Sequence, residues 1–185
     1  MGTNAKESAV RIENVAVVGL GRLGRSLTAQ LAGLGFGVAV YDSSPERVAA
    51  ALRTHPRARA HFVTQSETST GVLEDVEAYA ALTRGTDTLC VVDTVSSLGV
   101  VPCPMDSWGI DVVVAGSQKG LMCPPGLAFV AMNDRAWRAA ERARCPRFYW
   151  DLPTERGWQA KNQGQFTPAV SLLAGLDVAL RLLRD

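Results

Sequence analysis

The sequence predicts an α/β fold of three layers (α/β/α), in which helices cover both faces of a mostly parallel sheet. Short apolar runs rich in β-branched residues alternate with segments of helical periodicity, and this alternation is typical of βαβ units. The chain has 185 residues, of which 47% are hydrophobic and 20% charged, a composition that can bury a sizeable core. We therefore expect a loose polar leader at residues 1–13 and a single α/β domain over residues 14–185.

Six apolar runs predict the strands of this sheet. The first, at residues 15–19, is continuously apolar, as a strand buried on both faces should be. The second, at residues 38–41, closes a predicted Rossmann-like βαβ unit over residues 14–47. The remaining strands are predicted at residues 61–64, 88–92, 111–115 and 127–131.

Five segments have the spacing of helices. Residues 22–35 carry leucines three and four positions apart, which predicts one apolar face. Ser44 and Pro45 supply an N-cap and a first-turn proline for a helix that extends to about Thr54. The other helices are predicted at residues 73–83, 134–144 and 168–183, while residues 146–165 have no regular pattern and are expected to lie on the surface.

Composition and charge argue against several classes of function. Nineteen basic and 18 acidic residues give a formal charge of +1, so nothing predicts capture of nucleic acid or of a membrane surface. No apolar run reaches the roughly 18 residues of a membrane span, and the N-terminus lacks a secretory apolar region, which predicts a cytoplasmic protein. The four cysteines are far apart and form no Cys-x-x-Cys pair, so neither disulfides nor a metal site are expected.

The first cofactor motif is the glycine-rich stretch GLGRLG at residues 19–24, between a predicted strand and a predicted helix. Gly19, Gly21 and Gly24 would let the turn approach a pyrophosphate, and Asp42, at the end of the next strand, could bind a ribose hydroxyl of NAD or NADP. Residues 15–47 thus resemble the start of the 3-hydroxyisobutyrate and 6-phosphogluconate dehydrogenase superfamily. The alternative interpretation is a glycine-rich turn that serves only tight packing.

The second motif consists of an aspartate and a lysine that follow two neighbouring predicted strands. Asp93 follows the fourth strand and Lys119 the fifth, so both lie at the edge of the sheet where ligands bind in open α/β folds. A lysine amine that forms a Schiff base and an aspartate that keeps a pyridine nitrogen protonated are what pyridoxal phosphate requires. Taken singly, each residue is more often a surface lysine or a turn-capping aspartate.

Four motifs occur in order over residues 45–183, namely SETSTGV, VVDTVSSLG, GIDVVVAGSQKGL and PPGLAFV. With them the sequence resembles the class V, fold-type I aminotransferases, in particular the alanine–glyoxylate and serine–pyruvate aminotransferase group. The resemblance implies that residues 48–185 form part of the large domain of a pyridoxal-phosphate transferase. It also implies amino transfer from alanine or serine to glyoxylate or pyruvate, by a homodimer if the cofactor site is functional.

The same resemblance assigns roles to individual residues. Lys119 would form the Schiff base with pyridoxal phosphate, and Asp93 would pair with the pyridine nitrogen. The other cofactor-binding residues are then Val95 on one ring face, Thr68 at the phenolic oxygen, Gln118 as a further contact, and Thr167, which would reach the phosphate of the neighbouring subunit.

This sequence also departs from the pattern of the family. By the same resemblance, we expect these 185 residues to contain neither the phosphate cup and stacking aromatic ring of the family's N-terminal portion nor the small domain with its carboxylate-binding arginine. An N-terminal join of two ancestries near residues 45–48 is one explanation. Two alternatives therefore stay open: an NAD(P)-binding oxidoreductase fragment that uses the glycine loop, and a truncated or chimeric domain that binds neither cofactor well.

Overall fold

The computed structural model describes residues 14–18, 30, 37–41, 44–54 and 56–184. The strands are β1 (Asn14–Val18), β2 (Gly37–Tyr41), β3 (Ala60–Thr64), β4 (Ser66–Glu67), β5 (Val72–Leu73), β6 (Leu89–Asp93), β7 (Val112–Gly116) and β8 (Ala128–Met132). The helices are α1 (Pro45–Thr54), α2 (Val76–Thr83), α3 (Met105–Trp108), α4 (Asp134–Arg142), α5 (Leu152–Gln159) and α6 (Val170–Arg184). The predicted leader at residues 1–13 and most of the predicted helix at 22–35 lie outside the described residues.

Six strands form one sheet in the order β2-β1-β3-β6-β7-β8, and all but β8 run parallel to their neighbours. The prediction of a mostly parallel α/β sheet is confirmed. Strand β8 pairs with β7 antiparallel, because residues 117–127 return the chain without the crossover helix that a parallel connection needs. The register pairs Thr64 with Asp93 and Asp93 with Val114, so three strands end at the same edge of the sheet.

The described core lies between the sheet and the helices α1 and α2, which contact each other. Alternate residues of β3, β6 and β7 are fully buried, and the residues between them are half-buried. The buried cluster consists of Val48, Val63, Val76, Tyr79, Ala80, Cys90, Val92, Ile110 and Val113. Because the strands at the centre of the sheet pack on this cluster, their carboxyl ends form a rigid base for the loops that follow them.

Three local features differ from the sequence-based expectation. The helix predicted from residue 73 begins at Val76, where the carboxylate of Asp75 accepts a hydrogen bond from the backbone N–H of Ala78 at 3.0 Å. The residues before it form a two-strand hairpin in which Ser66 pairs with Leu73 and Glu67 with Val72. Helix α5 lies in the stretch expected to be irregular, and the short helix α3 was not predicted.

One histidine of strand β3 is completely buried. The ring centroid of His61 lies 5.7 Å from that of Tyr79, and neither ring nitrogen has a hydrogen-bond partner within the described part of the chain. Burial without a partner lowers the pKa of His61 to about 4 from its ordinary value of 6.5, because the charged imidazolium loses its hydration. The side chain is therefore neutral in the folded protein at pH 7.

We expect the free energy of unfolding to fall by about 3 kcal/mol as the pH is lowered from 7 to 4 through this one group. Between the folded pKa of about 4 and the unfolded value of 6.5, the unfolded chain holds a proton on His61 that the folded chain does not. Unfolding therefore takes up a proton, and acid favours it. Urea titrations at stepped pH measure this slope. A His61→Phe variant removes the titration, so wild type and variant losing stability in parallel would contradict the prediction.

Candidate functional site

A cavity of about 400 Å³ opens at the carboxyl edge of the central strands. Such edges are where open α/β sheets bind ligands, because the loops after successive strands converge there. Its lining residues come from the ends of β3 and β6, from the β4–β5 hairpin and from the loop after β7. They are Thr64, Ser66, Glu67, Thr68, Ser69, Asp93, Val95, Ser96 and Lys119.

Asp93 is the last residue of β6, is half-buried and lines the cavity. Its carboxylate Oδ1 accepts a hydrogen bond from the backbone N–H of Val95 at 2.8 Å, and its backbone carbonyl accepts one from the N–H of Gln65 at 2.9 Å. Both bonds restrict the residue, so the carboxylate is oriented before any ligand binds. A carboxylate held in this way can pair with a cationic ring nitrogen at little cost in reorganisation.

The turn after Asp93 is tied to the rest of the fold by buried polar groups. The backbone N–H and the hydroxyl of Thr94 both donate to the carbonyl of Val114 at 2.9 Å. The hydroxyl of Ser97 donates to Gln65 Oε1 at 2.6 Å, and Gln65 Nε2 donates to the carbonyl of Pro102 at 2.9 Å. Since Thr94, Ser97 and Gln65 are all buried, these bonds hold the turn in one position.

Lys119 extends from a tight loop that follows β7. The loop is closed by Ser117, whose hydroxyl donates to the carbonyl of Pro124 at 2.6 Å and whose backbone carbonyl accepts from the N–H of Cys123 at 3.0 Å. The backbone N–H of Met122 donates to the carbonyl of Lys119 at 2.8 Å, and Met122 has the unusual φ of 56°. The backbone of Lys119 is therefore fixed, while its exposed side chain can reach the cavity.

Two glycines let the loops of Asp93 and Lys119 touch. A Cβ on Gly120 would overlap the backbone carbonyl of Leu98, so only glycine fits there. Gly99 has a φ of +84°, and a Cβ on it would lie 3.2 Å from the carbonyl oxygen of Gly120. The direct packing of the two loops sets the position of Lys119 relative to Asp93.

The β4–β5 hairpin supplies hydroxyl groups to the cavity lining. The hydroxyl oxygens of Thr68 and Ser96 lie 2.7 Å apart. The carboxylate of Glu67 accepts hydrogen bonds from the backbone N–H of Ser69 at 2.9 Å and from its hydroxyl at 2.7 Å, and these bonds lower the pKa of Glu67. The hairpin tip therefore presents an ordered set of polar groups to a ligand.

The structure brings four of the six sequence-predicted site residues to one cavity: Lys119, Asp93, Val95 and Thr68. Gln118 and Thr167 are exposed and do not line it. The amide of Gln118 instead lies against Gly116, and Thr167 lies in the segment before α6. Gly19, Gly21, Gly24 and Asp42 lie outside the described residues.

Sequence reasoning did not single out Thr64, Glu67 and Ser96. Glu67 and Ser96 stand inside the motifs SETSTGV and VVDTVSSLG, so the motifs contained the signal although no role was assigned to these positions.

The lining also contains groups that fit the ring end of pyridoxal phosphate: an amine, an oriented carboxylate, hydroxyl donors and the apolar side chain of Val95. Within the described ranges, no group of three His, Cys, Asp or Glu side chains could hold a metal ion, and no helix is long and apolar enough to cross a membrane.

Comparisons with known proteins give the family. The family model described as aminotransferase class-V matches residues 41–185. The chain is 45% identical over 144 residues to a protein named soluble hydrogenase, small subunit, from Synechococcus sp. (strain PCC 6716), which covers 76% of this chain and 38% of that protein. It is 42% identical over 126 residues to the L-aspartate–glyoxylate aminotransferase of Paracoccus denitrificans. That match covers 65% of this chain and 31% of the relative.

A solved structure shows the same fold. The crystal structure of an alanine–glyoxylate aminotransferase from Nostoc sp. superposes with a TM-score of 0.81 at 33% identity, over 94% of this chain and 48% of that one. The chain thus spans about half or less of the length of the relatives it matches. Since the family model covers 145 residues of the 185, the chain belongs to the class-V aminotransferase family.

Proposed function

We propose that this chain provides the cofactor-binding part of a pyridoxal-phosphate-dependent aminotransferase. The observation that carries the proposal is that Lys119 and Asp93, whose carboxylate is oriented by the N–H of Val95, line the same cavity. Two loops locked together by Gly99 and Gly120 position these groups. When bound, pyridoxal phosphate supplies an electron sink for the bond that is broken at the amino acid Cα.

Each residue has a definite task in this proposal. Nζ of Lys119 would bind the cofactor covalently and, once released from it, would take and return the proton that moves during transfer. The carboxylate of Asp93 would keep the pyridine nitrogen protonated, and Val95 would cover one ring face. Thr68 donates a hydrogen bond to the phenolic oxygen.

Gln118 stays a further cofactor contact in this proposal and Thr167 acts through a second subunit, although neither lines the described cavity. The resemblance to the class assigns Thr167 to the phosphate of a neighbouring subunit, so the proposed assembly is a homodimer. We further propose that the protein works in the cytoplasm.

The proposed substrates are a small amino acid, alanine or serine, and a 2-oxo acid, glyoxylate or pyruvate. Glyoxylate appears in the names of both aminotransferases described above, one of which is named for alanine and the other for L-aspartate. Amino transfer with alanine, serine and aspartate as donors, each against glyoxylate and pyruvate, tests the choice. The proposal on substrates fails if aspartate is used faster than both small donors.

Covalent labelling tests the cofactor site directly. The chain has three lysines, Lys6, Lys119 and Lys161. Borohydride reduction of the full chain with pyridoxal phosphate, followed by peptide mapping, is expected to place the label on Lys119. A Lys161→Ala variant is the matched control, because that lysine is exposed and lies over the ring of Trp158. Equal labelling of all three lysines would indicate surface chemistry and overturn the proposed function.

A further inference from the structure

We propose that Ser96 is a positioning residue that orients the hydroxyl of Thr68 toward the ligand in the cavity. The inference rests on the proposed function and assigns a task to a residue that the sequence motifs left without one. It is carried by the hydroxyl pair Thr68–Ser96, which joins the β4–β5 hairpin to the turn after β6 across the cavity wall.

The chemistry of two paired hydroxyls leaves one free donor. Each hydroxyl has a single hydrogen, so one donates across the 2.7 Å gap while the other keeps its hydrogen for a different acceptor. When Ser96 donates to Thr68, the hydrogen of Thr68 is the free one and can bond to an oxygen of the ligand. Without Ser96, the hydroxyl of Thr68 can rotate toward water, because it is exposed.

Ser96 is suited to this task because its turn is rigid. The backbone N–H groups of Ser97 and Leu98 both donate to the carbonyl of Thr94, at 3.0 and 2.9 Å. The buried hydrogen bond from Ser97 to Gln65 fixes the turn on its buried side. Thr68, by contrast, sits at the tip of a hairpin with two-residue strands, so its position depends on what it touches.

The predicted consequence is a change in proton affinity at the cofactor. A hydrogen bond to the phenolic oxygen stabilises the negative charge on that oxygen. This charge is fully developed once the proton next to it, on the nitrogen of Lys119, is lost. A positioned Thr68 donor therefore lowers the pH at which the visible absorbance of pyridoxal phosphate bound at Lys119 changes. Loss of the donor raises that midpoint.

The test is a spectrophotometric pH titration of the full chain loaded with pyridoxal phosphate. In Ser96→Ala we expect the midpoint to rise by about one pH unit, the effect of one hydrogen bond to a charged group. Ser96→Thr restores the hydroxyl and should return the midpoint to within about 0.3 unit of wild type. Ser107→Ala is the matched control, because it removes an exposed serine hydroxyl outside the cavity and should leave the midpoint unchanged.

A double-mutant cycle shows whether Ser96 acts through Thr68. In a Thr68→Val background, Ser96→Ala should shift the midpoint by less than about 0.3 unit, since the group it orients is gone. A Ser96→Ala midpoint equal to wild type would overturn the inference alone, with the visible band and the Lys119 label intact. A folded wild-type chain without that band and label would remove the proposed function and this inference together.

Discussion

Replacing Asp93 by asparagine is expected to lower the rate of amino transfer by 10²-fold or more while the fold stays intact. The carboxylate is oriented by the N–H of Val95, and its charge would keep the cofactor nitrogen protonated during the reaction. Asparagine has nearly the same shape as aspartate but no charge. The substitution therefore removes the preorganised carboxylate that pairs with the protonated cofactor nitrogen, a pairing that matters most in the transition state. Loss of such a partner typically costs several kcal/mol.

The control for Asp93→Asn is a variant that removes a carboxylate outside the site. Asp87 is exposed, so Asp87→Asn tests whether loss of one negative charge anywhere in the chain affects transfer. Single-turnover rates and the circular dichroism of both variants separate chemistry from folding. An Asp93→Asn variant that transfers as fast as wild type, or that unfolds, would show that Asp93 does not have the assigned role.

The sequence predicted the placement of Asp93 and Lys119 because the topology of the sheet largely decides it. Both follow apolar runs that form neighbouring parallel strands, and the carboxyl ends of parallel strands meet at one edge. Thr68 was placed by its motif, which lies between β3 and the next helix. For these residues, strand order and position within the motif were sufficient.

Other features depend on contacts between residues far apart in the chain. The β4–β5 hairpin has two-residue strands, which are too short for a periodic pattern, so Leu73 was assigned to the helix that begins at Val76. Whether Gln118 faces the cavity depends on the backbone of the loop after β7, where its amide lies against Gly116. The alternation of strands and helices likewise gave no sign that β8 is antiparallel.

Helix α5 shows a further reason why some elements were not predicted from the sequence. Its sequence, LPTERGWQ, contains Gly157 and no regular apolar stripe, and none of its residues is buried. The helix starts where Pro153 occupies the first turn, a position that favours proline. Backbone preferences of this kind act locally and produce no hydrophobic periodicity in the sequence.

Gly120→Ala is expected to weaken pyridoxal phosphate binding by more than tenfold and to lower the free energy of unfolding by about 1–3 kcal/mol. The added methyl group would overlap the carbonyl of Leu98 and approach a methyl of Val100 to 2.7 Å. The overlap with Leu98 involves backbone, which cannot move aside as a side chain can. The loop of Lys119 must therefore move away from the turn after Asp93, and the two groups that hold the cofactor separate.

Gly157→Ala is the control for this change. A Cβ at Gly157 has nothing within 4 Å, and the residue lies inside α5, so alanine there should stabilise the chain by about 0.5–1 kcal/mol. Chemical denaturation gives the stabilities, and titration of the visible absorbance gives the binding constants. If Gly120→Ala bound the cofactor as tightly as wild type, contact between the two loops would not be what positions Lys119, and the geometric basis of the proposed site would have to be sought elsewhere.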